Sequence, residues 1–268
     1  MLEADITSFR TAAEEISRKA GERILEMSGE SRSIVFKGQR DMVTQVDSAA
    51  ETLIVEALQS RFPHHAILAE EGGAETGQNS DFRWIIDPLD GTTNFVHGFP
   101  IFCVSIGLEY QGEIIAGAIY DPTRDELFSA GKGLGASLNA QEIKVSETTL
   151  LGKSLMATGF PYTNNEHFDL NMQAWVGIYG LTQGLRRAGA AAIDLAWVAC
   201  GRMDAYWEFC IKPWDMAAGM LLVKEAGGKV SDPYGNKVAF SEGHILASNG
   251  QLHHEMITQL TTFASPSG

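Results

Sequence analysis

The residues of this chain best placed to do chemistry are two carboxylates three positions apart, Asp87 and Asp90. They lie in the stretch Trp84-Ile85-Ile86-Asp87-Pro88-Leu89-Asp90-Gly91-Thr92-Thr93-Asn94-Phe95. The apolar run predicts a buried strand that delivers Asp87 to its carboxyl end, where Pro88 turns the chain and Asp90 points back to the same place. Gly91 lets backbone approach a ligand closely, and the amides of Gly91 to Thr93 would open a helix facing an anion. Two carboxylates, free carbonyls and such a helix start suit a hard divalent cation together with a phosphate. Asp-Pro and Asp-Gly are also ordinary turn chemistry, and an acid before Gly-Thr-Thr can simply cap a helix. Phe95, Phe99, Ile101 and Phe102 on the far side weigh against a solvated turn, because carboxylates embedded in apolar sequence are costly unless paired or metal-bound.

Other acids share this design. Asp215 falls in the first turn of a helix that Pro213 opens and Gly227 stops. Taken alone, it need only complement the helix dipole. Glu70 and Glu71 end an apolar strand, Ala66-Ile67-Leu68-Ala69, before Gly72-Gly73. Adjacent strand residues face opposite sides, so only one of the two can face a site. Asp47 stands three residues after Thr44, a capping-box spacing ahead of Ala50, Leu53, Ile54, Ala57 and Leu58. An acid at a helix start can also face outward into a site. Glu208 is the lone acid within the aromatic run Tyr206-Trp207-Glu208-Phe209, where a salt-bridged edge glutamate and a hydroxyl-binding carboxylate are both open.

With Asp41-Met42-Val43-Thr44-Gln45-Val46-Asp47 and Gly189-Ala190-Ala191-Ala192, these segments resemble the inositol monophosphatase family of magnesium-dependent, lithium-sensitive sugar phosphatases, in its bacterial form. The resemblance runs in order over nearly the whole chain, and the Asp87 and Trp214-Asp215 motifs are highly specific together. It implies that Glu70, Asp87 and the Leu89 carbonyl hold a first magnesium and that Asp87, Asp90 and Asp215 hold a second. Glu70 with water would hold a third, weaker one. It implies a catalytic set of Thr92, Asp47 and Glu70, with Thr92 and Asp47 orienting and deprotonating the attacking water. The amides of Gly91 and Thr92 would hold the phosphate, and Asp90, Gly189, Ala191 and Glu208 would contact sugar hydroxyls. Many relatives carry Ser or Thr where this chain has Ala190, so a hydroxyl is missing near the sugar pocket. Lys37-Gly38-Gln39-Arg40 resembles the family's mobile loop near the third metal and reads equally as a solvated turn. The implied substrate is myo-inositol monophosphate. Fructose-1,6-bisphosphate, histidinol phosphate, adenosine 3′,5′-bisphosphate and NADP are alternatives under the same mechanism. Some bacterial relatives associate with the transcription machinery, so a regulatory protein-interaction role is the alternative of another class, and homodimers are common in the family.

Elementary chemistry agrees with these roles. Phosphate monoesters hydrolyse extremely slowly unaided, so a large barrier reduction is required. Bound magnesium can activate water and steady a leaving alkoxide, and carboxylates are the ligands that such hard ions prefer. A haloacid-dehalogenase phosphatase would place its two acids two residues apart, not three, and no phosphate-binding Gly-x-x-x-x-Gly-Lys-Ser/Thr loop is present. Cys103, Cys200 and Cys210 lack a Cys-x-x-Cys motif and read as small buried hydrophobes. His64-His65 and His253-His254 read as turn or surface pairs.

The elements that must carry these residues alternate between sheet and helix. Helical spacing covers residues 3–28, and a second helix follows Thr44. Strands are predicted near 66–70, 83–87, 102–110, 113–121 and 126–130, with Gln111-Gly112 as a hairpin turn. Strands near 153–158, 184–188, 204–209 and 244–248 alternate with helices near 168–179, 191–200, 213–226 and 250–262. The resemblance implies a layered αβαβα sandwich. Residues 1–268 are expected to form a single catalytic unit of two intimate halves, approximately 1–145 and 146–268, with the active site between them. The net charge of −14 disfavours direct binding to nucleic acid or anionic membrane. It does not disfavour an anionic substrate, since bound magnesium inverts the local field. No transmembrane run or signal peptide is read, and three cysteines fit the cytoplasm.

Overall fold

The computed structural model describes residues 3–28, 34–36, 42–72 and 80–264, with backbone alone for residues 4, 34–36 and 42–44. The chain opens with α1 (Glu3–Met27), the antiparallel pair β1 (Ile34–Phe36) and β2 (Met42–Thr44), and α2 (Gln45–Arg61). A seven-stranded sheet follows in chain order: β3 (Ala66–Ala69), β4 (Phe82–Asp90), β5 (Cys103–Tyr110), β6 (Glu113–Asp121), β7 (Glu126–Gly131), β8 (Gly135–Leu138) and β9 (Gln141–Glu142). The short helix α3 (Thr92–Val96) joins β4 to β5. The remaining chain runs β10 (Leu155–Thr158), α4 (Glu166–Tyr179), β11 (Gly184–Arg186), α5 (Ala191–Ala199), β12 (Ala205–Phe209), α6 (Pro213–Glu225), β13 (Lys229–Ser231), β14 (His244–Ser248) and α7 (His253–Phe263). Its five strands form a second sheet in the order β11-β10-β12-β14-β13.

Three apolar clusters stack these elements into αβαβα layers. Ile16, Ile24, Ile54 and Leu58 of α1 and α2 pack on Trp84, Ile86, Ile106 and Leu108 of the first sheet. Helices α5 and α6 fill the middle, where Leu195, Ala218 and Leu222 meet Ile119 and Phe128 of one sheet and Tyr206 and Ile245 of the other. Helices α4 and α7 cover the far face, with Leu170, Ile178, Met256 and Leu260 against Trp207, Phe209 and Leu246. Strand β12 shows the sorting rule. Ala205, Trp207 and Phe209 face the outer cluster, while Tyr206, between them, joins the middle one. The small residues of α6 let it sit almost on the sheet backbone. A Cβ added to Gly107 would lie 3.1 Å from that of Ala217, and one added to Gly117 would lie 3.2 Å from the Cα of Ala218.

The structure corrects the sequence reading in several places. Pro88 does not turn the chain away, because β4 continues through it to Asp90. Asp87 pairs with Ser105 and Asp90 with Cys103, so β4 carries one residue more than its partner across this step, a β-bulge. The missing amide of Pro88 is tolerated at such an irregularity. His65 is not a surface residue: it is half-buried, stacks on Phe82 with centroids 4.5 Å apart, and accepts from Trp84 Nε1 at 3.1 Å. His253 is buried between the hydroxyls of Ser231 and Ser248, and burial lowers its pKa to about 4. Among the described residues no helix is long and apolar enough to cross a membrane.

Candidate active site

The bulge in β4 decides the geometry of the site. Residues three apart on a regular strand point to opposite faces, and the extra residue restores Asp87 and Asp90 to the same side. Helix α6, held against the sheet, brings Asp215 from its first turn to meet them. Ligand oxygens of Asp87, Asp90 and Asp215 all lie within 4.8 Å of one another. Beyond complementing the helix dipole, Asp215 also accepts from the Lys212 amide at 3.1 Å as part of a capping box at the start of α6.

Electrostatics say what this cluster needs. Burial, then repulsion from Glu70, Asp90 and Asp215, holds the Asp87 carboxyl well above its ordinary range. Burial raises Asp90 to about 7, opposed by amide donors from Ala192 and Ala191. Burial and the charge of Asp90 raise Asp215 to about 7. Among the described residues none of the three forms an ion pair. Crowded buried carboxylates without a counter-charge are costly, and a hard divalent cation with oxygen ligands satisfies them. The donor set therefore fits magnesium.

These acids line a cavity of about 420 Å³ that draws its walls from both sheets and from α5 and α6. Glu70, in the turn after β3, lines it, and its charge bears on Asp87. Glu71 does not line it; its amide donates to Glu51 at 2.8 Å. Leu89 lines it too, held by its amide's bond to Asp87 at 2.9 Å. Gly91, at φ 93°, starts α3 where an added Cβ would meet the Ile101 carbonyl at 2.9 Å. Thr92 Oγ1 donates to Asp47 Oδ1 at 2.9 Å and to the Leu89 carbonyl at 3.0 Å. Asp47 itself is 1 % exposed in the first turn of α2. The side chain of its supposed capping partner Thr44, and the loop Lys37–Arg40, lie outside the described residues.

Gly189, Ala191 and Glu208 line the same cavity. Glu208 is no edge glutamate. It is buried on β12, an interior strand, where the Tyr206 hydroxyl donates to it, and burial raises it to about 8. Asp90 Oδ2 accepts from the Ala192 amide at 2.7 Å, and the Ala191 amide also serves Asp90. This explains how Ala190 is tolerated at the N-cap of α5, where its side chain makes no capping bond. A Ser or Thr there would cap the helix, and Asp90, at the end of β4, does so instead. Cys103 is buried as expected, whereas Cys200 and Cys210 are only partly buried. The buried Cys103 thiol lies 3.7 Å from Asp90 Oδ2, and Cys210 lines the cavity. Sequence reasoning missed Tyr206, Arg187 and Asp194, which also line it. The two-residue spacing from Glu208 could have found Tyr206, and an acid between Ile193 and Leu195 could have flagged Asp194.

An all-oxygen cluster beside a helix start, in the middle of αβαβα layers, defines the class of phosphomonoesterases that work with hard cations. The chain belongs to the inositol monophosphatase family, whose sequence model matches residues 5–265, and it is a phosphatase. The inositol-1-monophosphatase of Synechocystis sp. is 48% identical over 254 residues, which are 94% of this chain and 88% of that protein. The Nus factor SuhB of Pseudomonas aeruginosa is 44% identical over 271 residues, 100% of this chain and 98% of that protein. The solved structure of inositol monophosphatase from Anabaena superposes with a TM-score of 0.88 at 42% identity, covering 97% of each chain.

Proposed function

We propose that this chain hydrolyses myo-inositol monophosphate to inositol and phosphate, with two to three magnesium ions held by Glu70, Asp87, the Leu89 carbonyl, Asp90 and Asp215. The observation that carries this reading is the Asp87–Asp90–Asp215 cluster facing a carboxylate wall at Glu208 within one cavity. Bound magnesium supplies positive charge that acidifies water and steadies a leaving oxygen. The chain's own residues do the rest. The single proton of Thr92 lies between two acceptors, Asp47 and the Leu89 carbonyl. The Thr92 lone pairs thus remain to take a proton from an attacking water while its own passes to Asp47. The amides of Gly91 and Thr92 orient the phosphate. Asp90, Gly189, Ala191 and Glu208, which line the same cavity, contact the sugar hydroxyls.

Residues 1–268 would work as one catalytic unit of two halves, near 1–145 and 146–268, as a cytoplasmic homodimer. Phosphate release with magnesium from inositol monophosphate and the four alternative substrates tests the assignment. Highest kcat/KM on inositol monophosphate is expected, and a preference of tenfold or so for another ester would replace it. A second reading, a regulatory protein partner, is favoured by the relative named Nus factor SuhB. Retention of the metal carboxylates supports an enzyme under either reading.

A further inference from the structure

Helix α5 carries into the cavity a carboxylate that the roles above leave unused. Asp194 is 1 % exposed and lines the cavity, yet its Oδ1 is buried without a hydrogen-bond partner. Native structures rarely leave such an atom unsatisfied, because it loses its water and gains nothing. Its flanking residues Ile193 and Leu195 are fully buried, so an apolar side chain would be the less costly occupant. Capping cannot explain it, because the amides that open α5, at Ala191 and Ala192, already serve Asp90. An ion pair cannot either. Among the described residues Asp194 makes none, although the Arg187 charge reaches it. Burial and the charges of Asp90 and Glu208 hold its carboxyl well above the ordinary range. Asp194, Asp90 and Glu208 line one cavity, and the charges of the latter two bear on Asp194.

We propose that Asp194 is a specificity-determining residue for the polyol half of the substrate, its unsatisfied carboxyl group exchanging a hydrogen bond with a substrate hydroxyl beside the one that Glu208 takes. The inference rests on the reading of this cavity as a polyol-phosphate site. Either protonation state serves, since the ionised group accepts and the protonated group donates. The ligand class is a phosphate monoester with neighbouring free hydroxyls. An ester without them leaves Asp194 unsatisfied and gains nothing from it. The cost of the orphaned oxygen is then a stability sacrificed for recognition, as is common at functional sites.

The test compares kcat/KM of the magnesium-loaded enzyme on myo-inositol 1-phosphate and on an aryl phosphate that carries no hydroxyl. In Asp194→Ala the polyol-to-aryl ratio is expected to fall roughly tenfold, mostly through the KM for the polyol ester. Asp194→Leu, a second apolar variant, should fall in the same way. Asp194→Asn keeps a polar head of the same shape, so it should retain most of the ratio while melting at a higher temperature than the parent. An unchanged ratio in the apolar variants would overturn the proposal. Equal losses on both esters with a lower melting temperature in all variants would do so too, by making Asp194 structural. A parent enzyme that hydrolyses the aryl ester but ignores the polyol one would bring down the substrate reading itself.

Discussion

Asp87 and Asp90 can share a metal only because one surplus residue separates them from regular pairing. Their charges are what the site uses, and their crowding is what it costs. Asp90→Asn and Asp215→Asn keep shape and remove a ligand charge. Each is expected to lower turnover by roughly two orders of magnitude or more at modest magnesium. The melting temperature of the metal-free variants should not fall, because repulsion within the cluster is relieved. A folded variant with near-normal turnover would remove that residue from the metal set. On the proposed mechanism Thr92 and Asp47, joined by a hydrogen bond, share one proton path, so their losses should not multiply. Thr92→Ala and Asp47→Asn should each lower kcat by about a hundredfold with little change in KM. The double variant should match the worse single. Multiplying losses in steady-state kinetics would mean that they act separately.

The elements matter through their ends. Helix α3 can begin where it does because Gly91 adopts a left-handed φ of 93° with no room for a Cβ. Gly91→Ala is expected to cost on the order of 1–3 kcal/mol in urea unfolding and to lower turnover by displacing Thr92. Parent-like stability and activity would show that the turn adapts freely. Long elements are legible in the sequence because their apolar period repeats: α1, β5 and β6 fall within a residue of the expected bounds, and α2 begins directly after Thr44 as expected. The pairs and single turns β8, β9, β13 and α3 are too short to show a period. The end of β4 is misread because proline signals a turn, while a bulge leaves no mark until the partner strand is known. Site acids in apolar sequence betray themselves by their context, as Asp87 and Glu208 do. Asp194, between Ile193 and Leu195, carries the same signal, but an acid near a helix start already has an ordinary explanation that hides it.

At the scale of the molecule the net charge is −14, and Glu70, Asp87, Asp90, Asp194, Glu208 and Asp215 all line one cavity. Without metal, the folded protein holds Asp90 and Asp215 at about 7 and Glu208 at about 8, against roughly 4 in an unfolded chain. Between these values the folded state binds more protons than the unfolded one. Stability must then be greatest below about pH 4 as far as these groups are concerned, and must fall as pH rises toward 8. On the proposed reading magnesium binds the ionised forms and offsets that loss. Melting curves with chelator should therefore drop from pH 5 to 8, and the gap between magnesium and chelator should widen over the same range. A gap that narrows would contradict the cluster's charge state. Lithium matches magnesium in size with half the charge, so the inhibition implied by family resemblance should not be relieved by saturating substrate. Purely competitive inhibition would place lithium elsewhere.

The hydrogen bond from the Ala192 amide to Asp90 joins positions 102 residues apart, and Asp215 lies further still along the chain. A ribosome delivers Asp87, Asp90 and the whole of the first sheet long before it delivers α6. Until then the nascent chain has an acidic strand end with neither its cap nor its third carboxylate, and it can turn over nothing. On the proposed mechanism a product ending before residue 213 lacks Asp215 and the helix that carries it, so no phosphate release is expected from it.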